Sequence, residues 1–272
     1  MSRTKPKFQQ IYVEITNTCN LNCPFCLKTT RDPRKMTLSD VQVIADKIKK
    51  YTHSVYLHIK GEPLTHNNLE AIINVFHDNM IKVKVTTNGI NIFDKGQFLL
   101  NHEGVNKINI SLQSVQNLNK EFIDKYYEDL DKFLKSTKKN HIYLRNWALD
   151  DQEKQVLETR LSKMFPNAKF KDNELLDDYI HYSVQEKFEW PELNNESVNA
   201  TPCLGGRNQL GILSDGTIVL CCLDTNGDTN LGNIFENELE DILNSEKYLN
   251  SIHKMPYLEL CKKCSYRTRF KK

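Results

Sequence analysis

Ile11-Tyr12-Val13-Glu14-Ile15 alternates apolar and polar side chains, and Cys19-Asn-Leu-Asn-Cys23-Pro-Phe-Cys26 follows it at once. The first stretch reads as a β-strand with one apolar and one polar face, because successive side chains point to opposite sides. The second places three thiols just beyond the end of that strand. Working outward, the alternation recurs at Val55–Ile59, Ile81–Thr87, Ile108–Leu112 and His141–Leu144, with Ala168–Phe170 as a sixth predicted strand. Helical spacing fills the gaps. It runs over Leu38–Ile48 behind a Thr37/Ser39 cap, across Leu69, Ile72, Ile73 and Phe76, and around Phe98–Asn101. It returns through Phe122, Tyr126, Leu130 and Phe133, and through Val156, Leu157, Leu161 and Met164. Such strand–helix alternation implies right-handed crossovers and a parallel sheet, so the expected fold is α/β, a partial (β/α)6 parallel barrel.

Parallel strands covered on both faces read as continuous apolar runs, and these do not. Gln10, Tyr12 and Glu14 oppose Ile11, Val13 and Ile15, and Tyr56, His58, Lys60 and Glu62 oppose Val55, Leu57 and Ile59. Asn109, Ser111 and Gln113 oppose Ile108, Ile110 and Leu112, and His141, Tyr143 and Arg145 oppose Ile142 and Leu144. If helices cover the apolar face, the polar face lines the barrel interior. Glu14, His58 and Lys60 could then touch a substrate, or serve as hydrogen-bonded barrel packing.

The chain has 272 residues, enough at roughly 150 per domain for one or two domains. Lys and Arg number 37 against 35 Asp and Glu, a net +2, which argues against a nucleic-acid binder. The basic ends, MSRTKPK and RTRFKK, read as solvated tails. The longest apolar run, Ile218–Leu223, is far below the ~18 residues that span a bilayer, and no apolar signal segment opens the chain. The expectation is a cytoplasmic protein, where disulfides are rare. Its eight cysteines are confined to the first triplet and to Cys203, Cys221, Cys222, Cys261 and Cys264, a distribution that points to metal sites.

Residues 173–200 read as an acidic connecting segment. Beyond them, Leu210–Leu213, a Ser-Asp-Gly turn and Thr217–Leu220 predict a β-hairpin, followed by a helix near Glu238–Leu249 and a Cys-Lys-Lys-Cys hook. Residues 201–272 are few for an independent core, so a metal is expected to add stability. The expected division is 1–200 and 201–272, the second part a small iron–sulfur β-hairpin/helix domain.

The CxxxCxxC triplet after a first strand resembles the motif of the radical S-adenosylmethionine (SAM) superfamily. Three cysteines on a 4Fe–4S cluster leave one iron open; a structural zinc would want a fourth ligand nearby. The resemblance implies that SAM's amino and carboxylate groups bind the open iron, and that reduction releases a 5′-deoxyadenosyl radical that abstracts hydrogen. It implies SAM-proximal roles for Phe25 against adenine, Gly61-Glu62-Pro63 for the amino group, Asn88 within Thr87-Asn88-Gly89, Ser111 toward ribose, Gln113, and Arg145 toward the carboxylate. Lys60 departs from the family's second Gly, and Gln113 from its usual Asp.

The C-terminal set resembles the twitch domain, the shortened form of the SPASM extension. The Gly216 turn, Cys222-Leu-Asp224 and Leu231-Gly232-Asn233 support it. Adjacent residues on a strand face opposite ways, so Cys221 and Cys222 are not both expected to bind. By its matching hairpin position the resemblance implies Cys203, Cys221, Cys261 and Cys264 as ligands of an auxiliary 4Fe–4S cluster, with Cys222 spare. Zinc is the alternative occupant of such a four-cysteine set. The implied function is oxidation of a polar small molecule, a sugar- or aminocyclitol-like alcohol, with an external donor such as flavodoxin or ferredoxin. The alternatives are a maturase of a ribosomal peptide or protein and, from another class, an electron carrier. Only ten residues precede the first predicted strand, which lowers the expectation of a leader-binding domain.

Overall fold

β1 (Gln10–Val13) forms where the alternation begins, and Ile11, Val13 and the following Ile15 are fully buried. The computed structural model describes residues 7–137, 139–199 and 201–270, so residues 1–6 and 271–272 of the two basic ends lie outside the described residues. From β1 the sheet grows through β2 (Ser54–Tyr56), β3 (Lys82–Thr87), β4 (Val105–Ser111) and β5 (His141–Asn146), all parallel. The connecting helices are α1 (Leu38–Ile48), α2 (Leu69–Asp78), α3 (Ile92–Gly96), α4 (Lys120–Lys135) and α5 (Asp151–Leu161). Ile44, Ile48, Ile72, Phe76, Leu130 and Phe133 on these helices are buried in one core with the apolar strand residues. Each such side chain contributes roughly 1.5–3 kcal/mol of transfer free energy.

Helix α1 is capped by Thr37, as expected, but its reciprocal partner is Asp40 and not Ser39. The Asp40 N–H donates to Thr37 Oγ1 (3.1 Å) and the Thr37 N–H to Asp40 Oδ2 (2.9 Å). Such a box satisfies two orphan donors of the first turn.

The sixth parallel strand lies later than Ala168–Phe170. Phe170 and Asn173 have positive φ (52° and 58°) and turn the chain there. A short β6 (Glu174–Asp177) folds back antiparallel onto β7 (Ile180–Val184), and β7 is the parallel neighbour of β5. Part of the expected connecting segment is therefore sheet. Its strands were masked by acidic residues on the exposed edge strand β6, yet β7 keeps the rule of the others: Ile180 and Tyr182 are buried, and Ser183 faces the cavity.

The C-terminal hairpin forms as expected from β8 (Gln209–Ile212) and β9 (Thr217–Val219), with β10 (Gly232–Asn233) added at its edge. Gly216 at its turn has φ +88°, and a Cβ there would stand 2.3 Å from Phe235 Cδ2. Unexpectedly, β8 pairs in parallel with β1, so the sheet order is β10-β9-β8-β1-β2-β3-β4-β5-β7-β6. Leu210, Ile212, Ile218 and Leu220 join the core of the first half, so residues after 201 do not rely on a metal alone. The predicted single helix near Glu238–Leu249 is two, α6 (Leu239–Asn244) and α7 (Glu246–Lys254). Ser245 ends the first with ψ 147° and caps the second by accepting from the Tyr248 N–H (3.2 Å). α8 (Glu259–Lys262) carries the Cys261–Cys264 hook.

Arg267 corrects the reading of the C-terminus as a solvated tail. It is 1 % exposed, and its guanidinium donates to the Thr201 and Cys261 carbonyls, closing the hook against the start of the C-terminal region. No helix among the described residues is long and apolar enough to cross a membrane.

Candidate active site

The polar strand faces and the loops at the C-terminal strand ends enclose one cavity of about 680 Å³. Tyr12, Tyr56, His58, Lys60, Asn109, Ser111, Gln113, Tyr143 and Arg145 all line it, as the parity of the strands predicts. Gln10, Glu14 and His141, inward by parity, do not line it, whereas Ile59, outward by parity, does. The strand geometry ends at Tyr56, and Ile59 turns inward to pack with Leu213 and Val219 from the hairpin.

Cys19, Cys23 and Cys26 stand together at this cavity, with free thiols, on the loop that leaves β1. Burial, then the neighbouring Cys26 and Cys19, push the Cys23 thiol up to about 11, so the three lie within electrostatic reach of one another. The loop is anchored on both sides. Asn88 Nδ2 donates to Asn20 Oδ1 (2.8 Å), and Lys60 Nζ donates to Cys26 Sγ (2.8 Å) and to the Leu27 carbonyl.

Gly61 lets the strand-two loop approach this segment. Its φ is +77°, and a Cβ would lie 2.2 Å from the Thr16 carbonyl oxygen. The Glu62 N–H then donates to the Thr18 carbonyl (2.9 Å). The Glu62 carboxylate is buried and accepts from Leu64 N–H (2.9 Å), Thr87 Oγ1 (2.7 Å) and Asn88 N–H (2.6 Å). Its work is thus to tie the second-strand loop to the third. Pro63, also expected near SAM, is buried at the start of a 3-10 turn and does not line the cavity.

Gln113 is equally occupied. With its amide turned to suit its neighbours, it donates to the Arg145 carbonyl (2.8 Å) and accepts from the Trp147 indole N–H. Glu14, a candidate substrate contact, is 0 % exposed and absent from the cavity wall. Arg31 NH2 donates to both its oxygens, and the Lys60 and Ser214 N–H groups donate to it as well. Four hydrogen bonds from three donor groups consume its carboxylate.

A wall of aromatic residues over the cysteine loop was missed from sequence. Phe25 meets Trp147 edge-on (5.3 Å between centroids), Trp147 stacks on Phe188 (4.7 Å), and Trp190 donates its indole N–H to the Phe25 carbonyl (2.9 Å). Tyr266 from the C-terminal hook packs on Phe188 (5.2 Å). The one available signal was that Trp147 follows a predicted strand end and Trp190 lies inside the acidic segment.

Cys203, Cys221, Cys261 and Cys264 reach the same cavity from its other side. Burial, then Cys203 and Cys264, push Cys261 up to about 12; burial, with Cys203 also contributing, pushes Cys264 up to about 11. Cys221 is raised by burial and by Cys222, Cys264 and Cys261. Cys222 lines the cavity too, and packs against the cluster of Ile59, Leu213 and Val219. Asp224 locks the loop after it by accepting from the Gly227, Asp228 and Thr229 N–H groups (2.7–2.9 Å).

The donor set suits iron–sulfur clusters. Among the described residues no three His, Cys, Asp or Glu converge tightly enough to chelate one ion.

Comparison with known proteins agrees with this geometry. The radical SAM superfamily profile matches residues 13–146, and the SPASM profile, an iron–sulfur cluster-binding domain, matches residues 203–265. A probable GTP 3′,8-cyclase of Methanocaldococcus jannaschii is 31 % identical over 142 residues, 49 % of this chain and 45 % of that protein. The GTP 3′,8-cyclase of Corynebacterium glutamicum is 29 % identical over 119 residues, 39 % and 31 % of the two chains. The matches thus span less than half of these relatives. Among solved structures, BtrN in complex with AdoMet and 2-DOIA has a similar fold: TM-score 0.65, 17 % identity, 96 % of this chain and 94 % of that one. SuiB of Streptococcus suis bound to S-adenosylmethionine gives TM-score 0.63 and 17 % identity over 95 % and 72 %. The chain belongs to the radical SAM superfamily, carries a C-terminal SPASM/twitch-like iron–sulfur domain, and uses 4Fe–4S clusters and S-adenosylmethionine as cofactors.

Proposed function

We propose that this enzyme is a radical SAM oxidoreductase that removes a hydrogen atom and then an electron and a proton from a polar small molecule, a sugar- or aminocyclitol-like alcohol, leaving a ketone. What supports the reading is that both cysteine sets and the polar barrel face line one cavity. When bound, the cofactors supply the reduction that cleaves SAM to a 5′-deoxyadenosyl radical and an acceptor for the substrate's surplus electron.

On this reading Cys19, Cys23 and Cys26 hold the first cluster, and Cys203, Cys221, Cys261 and Cys264 the second. Phe25, Gly61, Asn88, Ser111 and Arg145 contact SAM from the cavity wall. Glu62 and Gln113 act as positioning residues, because their polar atoms hold the surrounding loops. Trp147, Phe188 and Trp190 exclude water from the radical's surroundings, and that closed wall favours a small molecule over the rival peptide substrate. The proposed setting is cytoplasmic, with flavodoxin or ferredoxin as reductant.

Anaerobic incubation with a reductant, SAM and deuterated candidate alcohols tests this. Label is expected in 5′-deoxyadenosine, and replacing Cys19, Cys23 and Cys26 with Ala should abolish its formation. Unchanged cleavage by the triple variant would end the assignment.

A further inference from the structure

Sheet register sorts the inward side chains into layers. Tyr12 pairs with Tyr56, Tyr56 with Lys84, and Lys84 with Lys107, at the end of the barrel away from the cysteine loop. Above them lie Thr86, Asn109, Tyr143 and His181, and above those Ser111, Arg145 and Ser183. Two of these layers carry fixed positive charge, and none carries a carboxylate.

The carboxylates on the cavity wall do not compensate. Glu62 and Asp224 have their oxygens taken by the donors described above. Among the described residues, no carboxylate comes within ion-pair distance of Lys107 or Arg145. Lys107 Nζ rests on the Tyr143 ring, 3.4 Å from its centroid, and Lys84 Nζ lies 4.9 Å from that of Tyr56. Burial, with Arg145 and Lys84 adding to it, pulls Lys107 down to about 8. His58, also on the wall, is half-buried, but its Nδ1 is out of reach of solvent and has no hydrogen-bond partner. A polar atom left so is costly, about 1–3 kcal/mol, unless something else occupies the space.

We propose that the deep end of the cavity is an oxyanion subsite, where a carboxylate or phosphate of the substrate binds between Lys107 and Arg145 within reach of His58 Nδ1. This rests on the oxidoreductase reading and narrows its substrate to hydroxyl-bearing anions. An ammonium-bearing molecule would bring another positive charge to a layer that already lacks a counter-ion. Arg145, on the upper layer, can serve the SAM carboxylate on one side and the substrate anion on the other; Lys107, four residues lower along the strands, belongs to the substrate alone.

Competitive acetylation of lysines in the cluster-loaded protein, read peptide by peptide by mass spectrometry near neutral pH, tests this without turnover. Inorganic phosphate, gluconate, glucose and glucosamine are the probes, each with and without SAM. An anion held at Lys107 raises its pKa, and a rise of about one unit slows its labelling about tenfold. Phosphate or gluconate should do so while glucose and glucosamine leave Lys107 unchanged, and Lys163 should respond to none. Protection by phosphate alone assigns a phosphate ester, and protection by gluconate alone a carboxylate. Loss of that protection in Arg145→Met would agree. No slowing by either anion overturns the proposal, as does equal protection by SAM alone or by glucosamine. Formation of 5′-deoxyadenosine by the same preparation reports on the radical reading separately.

Discussion

Arg31 and Glu14 form a bidentate ion pair, 2.7 Å to each carboxylate oxygen, with Glu14 fully buried. Arg31 lies on the segment after the cysteine triplet, and its Nε also donates to the Thr225 carbonyl (2.9 Å). Glu14 accepts from Ser214 at the C-terminal hairpin and from Lys60 before the strand-two loop. One carboxylate therefore joins the loops carrying both cysteine sets.

Arg31→Met leaves that carboxylate buried without its cation, which costs about 3–5 kcal/mol where a buried pair is broken from one side. Anaerobic urea titration should show that loss, and both clusters should be retained less well. The double variant Glu14→Gln with Arg31→Met should lose less than Arg31→Met alone. Equal losses would mean that the charge at Glu14 is not what the pair neutralises.

Gly61→Ala meets two obstacles. The left-handed backbone costs a side chain about 1–2 kcal/mol, and the new Cβ would collide with the Thr16 carbonyl. Gly227→Ala is the control, since its φ is +84° but its Cβ would meet nothing nearer than Leu213 Cδ1 at 3.4 Å. The expected result is a greater loss of melting temperature for Gly61→Ala, accompanied by slower SAM cleavage. Similar shifts for the two would remove the close approach as the reason for that glycine.

The auxiliary site predicts unequal cysteines. The protein should carry about eight irons, four per cluster. Cys261→Ala should remove about four and lower stability, because ligation and folding are coupled there. Cys222→Ala should keep all of them, since Cys222 packs with Ile59 and Val219. Iron and zinc analysis of the two variants decides it. Zinc beside four irons in the parent protein would instead identify the zinc alternative.

His58 makes stability pH-dependent. Burial, and then the charge of Arg145, hold it down at about 3 against an ordinary 6.5. Between those values the unfolded chain binds the extra proton and the folded chain does not. Its contribution is complete above pH 6.5 and declines as pH falls toward 3, by up to about 1.4 kcal/mol per pH unit. Unfolding measured from about pH 6.5 down to about pH 5 should fall less steeply in His58→Gln than in the parent. Parallel curves would show that His58 titrates normally.

Much of this arrangement was readable along the chain. Period-two alternation told which side chains of β1, β2, β4 and β5 face inward, because pleating leaves each residue only two directions. The spacing of Cys19, Cys23 and Cys26 and the clustering of the later cysteines announced the metal chemistry, because ligands on one loop must be close in sequence. β7 escaped since its alternation, Ile180 to Val184, sits beside an acidic edge strand that locally resembles a loop. Other relationships leave no local pattern at all. Trp190 reaches the Phe25 carbonyl across 165 residues, and Ser214 reaches Glu14 across 200. Those partnerships follow from β8 docking beside β1 and β7 beside β5, which brings distant loops to the same end of one sheet. Periodicity records the face a residue occupies; strand order, set by the burial of the whole sheet, records whom it meets there.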